Sequence, residues 1–126
     1  MMDLLFVGVG GFLGSCARYL LTRASQCLNM TFPLGTFVSN IVAGLFIGLI
    51  IGLERQSMAL SPRTKLFLTT GLLGGLSTFS TFSMETVNLF MDGRYLMAVG
   101  NVALNLGISL ACVVLGLLLA RVIIKA

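Results

Sequence analysis

The chain has 126 residues, of which 57% are hydrophobic and only 10% charged, with a formal net charge of +4. A water-soluble domain of this length carries about a quarter charged residues, so a soluble fold is excluded. Histidine is absent, which removes the commonest metal ligand and the usual neutral-pH proton carrier. The four carboxylates are scattered and no phosphate loop or metal-ligand spacing occurs, so no enzyme chemistry is visible. The three cysteines, Cys16, Cys27 and Cys112, have no paired spacing and read as small apolar fillers.

Four apolar windows, about 4–23, 34–53, 66–91 and 95–120, account for nearly the whole chain. Each can cross ~30 Å of hydrocarbon at ~1.5 Å per residue. Backbone groups in lipid must be satisfied internally, so an all-α membrane protein with four transmembrane helices is expected, as a single domain over 1–126. The first window is not expected to be a cleaved leader: Asp3 stands where a basic n-region belongs, and the window runs on into Arg18 and Arg23. The cations sit at span ends, where they snorkel to headgroups; no nucleic-acid partner is needed to explain them.

Span one carries Gly8, Gly10, Gly11 and Gly14, then Ser15 and Arg18. Arg18 reads either as an interfacial snorkelling cation or as a charge drawing anions into a vestibule. Span two sets Thr36, Asn40, Gly44, Gly48 and Gly52 at i, i+4 down one face, a stripe that allows close helix approach. Asn40 in that stripe is either interhelical glue or a donor to a passing anion.

Span three is interrupted. Gly71, Gly74 and Gly75 precede the hydroxyls of Ser77, Thr78, Ser80, Thr81 and Ser83, and such a run is expected to break the helix at Gly74–Ser77. A break at depth exposes carbonyls suited to a cation and N–H groups suited to an anion. Phe79 and Phe82, three apart, share a helical face. Glu85 follows one turn after Thr81. Span four carries Asn101, Asn105 and Ser109 at i, i+4, a polar track that needs partner helices or water.

An even number of spans puts both termini and the middle loop on one side. That side holds five Lys or Arg (Arg55, Arg63, Lys65, Arg121, Lys125) and the other holds three (Arg18, Arg23, Arg94). So small a bias admits insertion in both orientations with antiparallel pairing, or ordinary orientation with cytoplasmic termini. Transport is the remaining class of function. The polar groups at depth are hydroxyl and amide donors and acids are nearly absent, which favours an anion; Phe79 and Phe82 read either as ordinary packing aromatics or, turned edge-on, as electropositive contacts for a small anion.

The segments GGFLGSCARY (Gly10–Tyr19), GTFVSNIVAG (Gly35–Gly44) and TGLLGGLSTFSTFSME (Thr70–Glu85) together resemble the Fluc family of fluoride channels, also called CrcB proteins. The resemblance covers the whole chain, and its third segment is the most specific. It implies an antiparallel, dual-topology homodimer in the bacterial plasma (inner) membrane, exporting fluoride passively to relieve its toxicity. By the same resemblance, Phe79, Phe82, Asn40, Ser80 and Thr81 line the fluoride pathway, with Asn101, Asn105 and Ser109 in the span-four row. Arg18 and Glu85 fall at the vestibules. A structural Na+ at the dimer centre is implied, held by the backbone carbonyls of Gly74 and Ser77 from both subunits. The segment commonly reads TTFSTF, and Ser77 here replaces its first threonine; Asn101 stands where a tyrosine is frequent. The rival is a proton-coupled small multidrug exporter, which needs a membrane-embedded glutamate; the first span has none, and Glu85 is the sole candidate.

Overall fold

The computed structural model describes residues 1–126 and is entirely helical. In chain order it comprises α1 (Met2–Gln26), α2 (Leu34–Arg55), the short α3 (Pro62–Lys65), a π-helical stretch (Leu66–Leu73), α4 (Gly74–Leu76), α5 (Phe79–Met91) and α6 (Tyr95–Lys125). Three helices, α1, α2 and α6, are long and apolar enough to cross a membrane. The segment expected as the third span is a bent helix instead, divided by two extended residues, Ser77 (ψ 153°) and Thr78 (φ −151°).

Local chemistry sets the ends of these elements. Ser61 caps α3 by accepting the Thr64 N–H at 3.2 Å, with Pro62 at the first helical position. Thr78 caps α5 in the same manner, accepting the Thr81 N–H at 3.2 Å. At the far end of α5, Gly93 takes φ +78°, the Gly93 N–H reaches Phe90 O and the Arg94 N–H reaches Leu89 O. This is a Schellman stop, and a left-handed residue there is most easily a glycine.

Glycines, rather than large side chains, set the packing. A methyl group at Gly71 would stand 2.9 Å from the Val7 carbonyl oxygen, and one at Gly75 would stand 2.7 Å from that of Gly11. One at Gly44 would stand 2.9 Å from Ser109 O, and one at Gly48 would run into Val113 O. The first set brings the segment before the break against α1, and the second seats α2 on α6. Contact numbers rise together along both pairs, so α1 runs parallel to the third segment and α2 parallel to α6. The glycines before the break therefore do not break the helix. All three lie in helical turns, Gly71 and Gly75 permit close approach to α1, and the interruption falls one turn later, at Ser77–Thr78.

Two ion pairs gather one end of the molecule: Arg63 Nε with Asp3 at 3.6 Å, and Lys65 Nζ with Glu54 at 3.0 Å. Gly52 meets Leu117 and Ala120 near the same end, so both termini and the α2–α3 connection lie together. Only 19 of the 126 residues are buried, and Phe12, Leu96 and Leu110 are each at least 67% exposed. Such a surface is suited to lipid or to another copy of the chain, not to water.

Candidate functional site

The break at Ser77–Thr78 is the centre of the polar chemistry. In an uninterrupted helix the Thr78 N–H would bond the Gly74 carbonyl and the Thr81 N–H would bond that of Ser77. Both donors go elsewhere: Thr78 N–H to Asn40 Oδ1 at 2.8 Å, and Thr81 N–H to Thr78 Oγ1 at 3.2 Å. The carbonyls of Gly74 and Ser77 thus lose their helical partners. Gly74 is exposed and Ser77 half-buried, and both border the same cleft. Free carbonyl oxygens are suited to a hard cation, so these residues fit the sodium ion that the resemblance implies. No cluster of three Asp, Glu, Cys or His side chains competes for such an ion.

Asn40, from α2, joins the break to α6. Its carboxamide nitrogen donates to Asn105 Oδ1 at 3.0 Å and to Thr78 O at 3.3 Å. Asn105 in turn donates to Asn101 Oδ1 at 2.7 Å and to Asn101 O at 3.1 Å. Asn101 donates to Thr86 Oγ1 at 2.9 Å, and Thr86 donates to Phe82 O at 2.8 Å. Asn101 and Asn105 are 0% and 3% exposed. Their amides are satisfied by protein partners, as burial at membrane depth requires.

A cleft of about 370 Å³ lies between α2, the break and α6, bordered by Asn40, Phe79, Phe82 and Ser109 among others. Phe79 is 73% exposed and Phe82 only 6%; their ring centroids are 5.5 Å apart, with planes at 54°. Ser109 Oγ is buried without a hydrogen-bond partner, a polar atom left available beside the cleft. Thr78 Oγ1 lies 3.3 Å from Ser80 Oγ and donates to Thr81 Oγ1 at 3.2 Å, which collects the hydroxyls of the third segment at the start of α5.

The two charged candidates both lie toward the end that holds the α1 C-terminus and the α2 N-terminus, where Gly35 packs on Thr22. Arg18 does not simply turn outward to the interface: its Nε donates to Gly75 O at 3.1 Å and its Nη1 reaches Thr81 Oγ1 at 3.5 Å, bridging the two halves of the broken helix. Glu85 accepts from Thr36 Oγ1 at 2.8 Å, and its second oxygen, Oε2, is buried without a partner. Thr36, read from the sequence only as part of a packing stripe, is therefore the partner of the one acid at depth. Thr86 was not signalled at all, since a threonine within a helix commonly bonds its own backbone; it does so here while also accepting from Asn101.

The brought-together set is thus Asn40, Ser77, Thr78, Phe79, Phe82, Asn101, Asn105 and Ser109, with Arg18 and Thr36–Glu85 flanking it. Residues 5–117 match the family described as CrcB-like protein, Camphor Resistance (CrcB). The chain is 48% identical over 120 residues to the fluoride-specific ion channel FluC of Clostridium novyi (strain NT), covering 94% of each chain. It is 45% identical over 127 residues to that of Ruminiclostridium cellulolyticum, covering 98% of this chain and 95% of the relative. To that of Serratia proteamaculans it is 43% identical over 119 residues, covering 94% of each. With the three motifs in order, the bent third segment and a match over nearly its full length, the chain belongs to the CrcB family.

Proposed function

We propose that this protein is a fluoride-selective ion channel that lets fluoride leave the cell passively. The observation that carries the reading is the similarity, at 43–48% identity over 94% of both chains, to proteins named fluoride-specific ion channels. The chemistry of the cleft supports it: amide and hydroxyl donors with tilted aromatic rings are suited to a small hard anion. In this reading fluoride moves along the Phe79–Phe82 face, with Asn40, Ser80, Thr81 and Ser109 as donors and Asn101 and Asn105 in the row behind. Arg18 and Glu85 stand toward the vestibules.

The finer assembly belongs to the same proposal. The segment 66–91 counts as a fourth crossing of the bacterial inner membrane, supported by its parallel course beside α1. Two copies pair antiparallel as a dual-topology homodimer, supported by the small Lys/Arg bias and the extensive exposed apolar surface. A sodium ion at the centre would be held by the Gly74 and Ser77 carbonyls of both copies, and would supply a fixed positive charge that neutralises converging carbonyl dipoles.

The proton-coupled drug exporter is not favoured, since the relatives are named as fluoride channels and Glu85 is already engaged by Thr36. Purified protein in liposomes tests the proposal. It should release loaded fluoride with net current and retain chloride; fluoride release that required an opposing proton gradient would overturn it.

A further inference from the structure

The hydrogen bonds between the break and the second phenylalanine form one chain with one direction. Its first link is a backbone N–H, that of Thr78, which can only donate. Its last link is the carbonyl of Phe82, which can only accept. Everything between is fixed by those ends. Asn40 must present Oδ1 to Thr78 and therefore turns its NH2 to Asn105 Oδ1 at 3.0 Å. Asn105 must then donate to Asn101 Oδ1 at 2.7 Å, and Asn101 to Thr86 Oγ1 at 2.9 Å. Thr86 closes the chain onto Phe82 O at 2.8 Å. The path leaves the backbone one residue before Phe79, passes through α2 and α6, and returns to it at Phe82.

We propose that Asn101, Asn105 and Thr86 are positioning residues. They brace the Asn40 carboxamide in the orientation that the Thr78 N–H selects, with its NH2 on Asn105 Oδ1 and Thr78 O at the cleft wall, and they hold the Phe79–Phe82 turn in place. Two observations separate this role from ion contact. Asn101 lies outside the cleft wall, and Asn105, though part of that wall, is 3% exposed with its side-chain nitrogen turned to Asn101, whereas Asn40 is half-buried at the cleft. Of the two bonds made by the Asn40 NH2, the one to Thr78 O is the longer, at 3.3 Å, and is the one an entering anion can replace. In a water-excluded setting each bond polarises the next, so reversing or deleting a remote link weakens the donor at the cleft.

The assignment rests on the channel reading for its consequence but not for its geometry, and the experiment separates the two. Thr86→Val and Asn101→Leu are each made in the full-length protein. Fluoride efflux is read from liposomes, and the side-chain NH2 resonances of Asn40 are read by NMR in detergent. The relay requires the Asn40 resonances to move in both variants, although neither residue is hydrogen-bonded to Asn40, together with a fluoride efflux slowed about tenfold or more. Unmoved Asn40 resonances overturn it, as does wild-type efflux with moved resonances. Should Asn101→Leu fail to fold, Thr86→Val decides alone. A wild-type protein that carries no fluoride overturns the channel reading, while the NMR measurement still judges the relay.

Discussion

Asn40 and Thr78 are joined twice, the Thr78 N–H donating to Asn40 Oδ1 at 2.8 Å and the Asn40 NH2 donating back to Thr78 O at 3.3 Å. A side-chain amide here takes the place of a backbone one, satisfying the N–H that the break set free. An unpaired buried backbone N–H costs about 1–3 kcal/mol. Asn40→Ala should therefore lower the thermal midpoint in detergent by roughly 3–15 °C, and should slow fluoride efflux. An unchanged midpoint would mean that another group takes over the Thr78 N–H.

Phe79 and Phe82 share a face but not an environment, since Phe79 is largely exposed and Phe82 buried. Both Phe79→Ile and Phe82→Ile should abolish fluoride efflux while size-exclusion elution stays that of the parent. Only Phe82→Ile should also lower stability, by roughly 1–2 kcal/mol as a core substitution. Full efflux in both variants would make the rings mere packing.

The sodium proposal depends on backbone carbonyls and not on hydroxyls. Ser77→Ala should accordingly leave efflux and thermal stability within about twofold and 0.5 kcal/mol of the parent. Replacing sodium with a large organic cation during purification should lower the thermal midpoint of parent and variant alike. A Ser77→Ala protein that had lost its sodium dependence would move the ligand to the side chain.

The glycines divide by what faces them. A methyl at Gly48 would run into the Val113 carbonyl, whereas Gly100 and Gly107 face open space. Gly48→Ala should destabilise by about 1–3 kcal/mol as α2 and α6 are pushed apart. Gly107→Ala should be neutral, or stabilising by up to about 1 kcal/mol from helix propensity. Chemical denaturation in mixed micelles gives both values.

Thr36→Val keeps the shape of the side chain but removes the hydrogen bond to Glu85 Oε1, whose other oxygen already lacks a partner. The expected result is a loss of about 1–3 kcal/mol in stability. A Thr36→Ser variant, retaining the hydroxyl, should recover most of it in the same unfolding assay.

Hydropathy made the long helices legible, because a lipid environment leaves few alternatives: α1, α2 and α6 contain the windows 4–23, 34–53 and 95–120 and extend a few residues beyond them. The interruption in 66–91 was also legible, but its position was not. Gly71 and Gly75 look like helix breakers from sequence, yet what decides is the α1 backbone that only a glycine can approach, a tertiary fact. The residues gathered around the break were readable singly as donors, whereas their partners were not. Nothing local tells Asn40 to bond Thr78, 38 residues away, or Asn105, 65 residues away. Arg18 illustrates the same limit, since its reach to Gly75 O depends on how closely α1 and the third segment pack.

The parallel pairing of α1 with the third segment, and of α2 with α6, bears on how the protein is made. A chain emerging from the ribosome presents α1 and α2 first, and neither has its glycine-lined partner yet. α1 and α2 meet each other where Gly35 approaches Thr22, but their longer glycine seams close only against the next helix but one. The second zipper, and the Asn40–Asn105 link within it, cannot close until the last helix has been synthesised. A chain truncated before Tyr95 would therefore keep its first three hydrophobic segments and leave the glycine face of α2 without its partner.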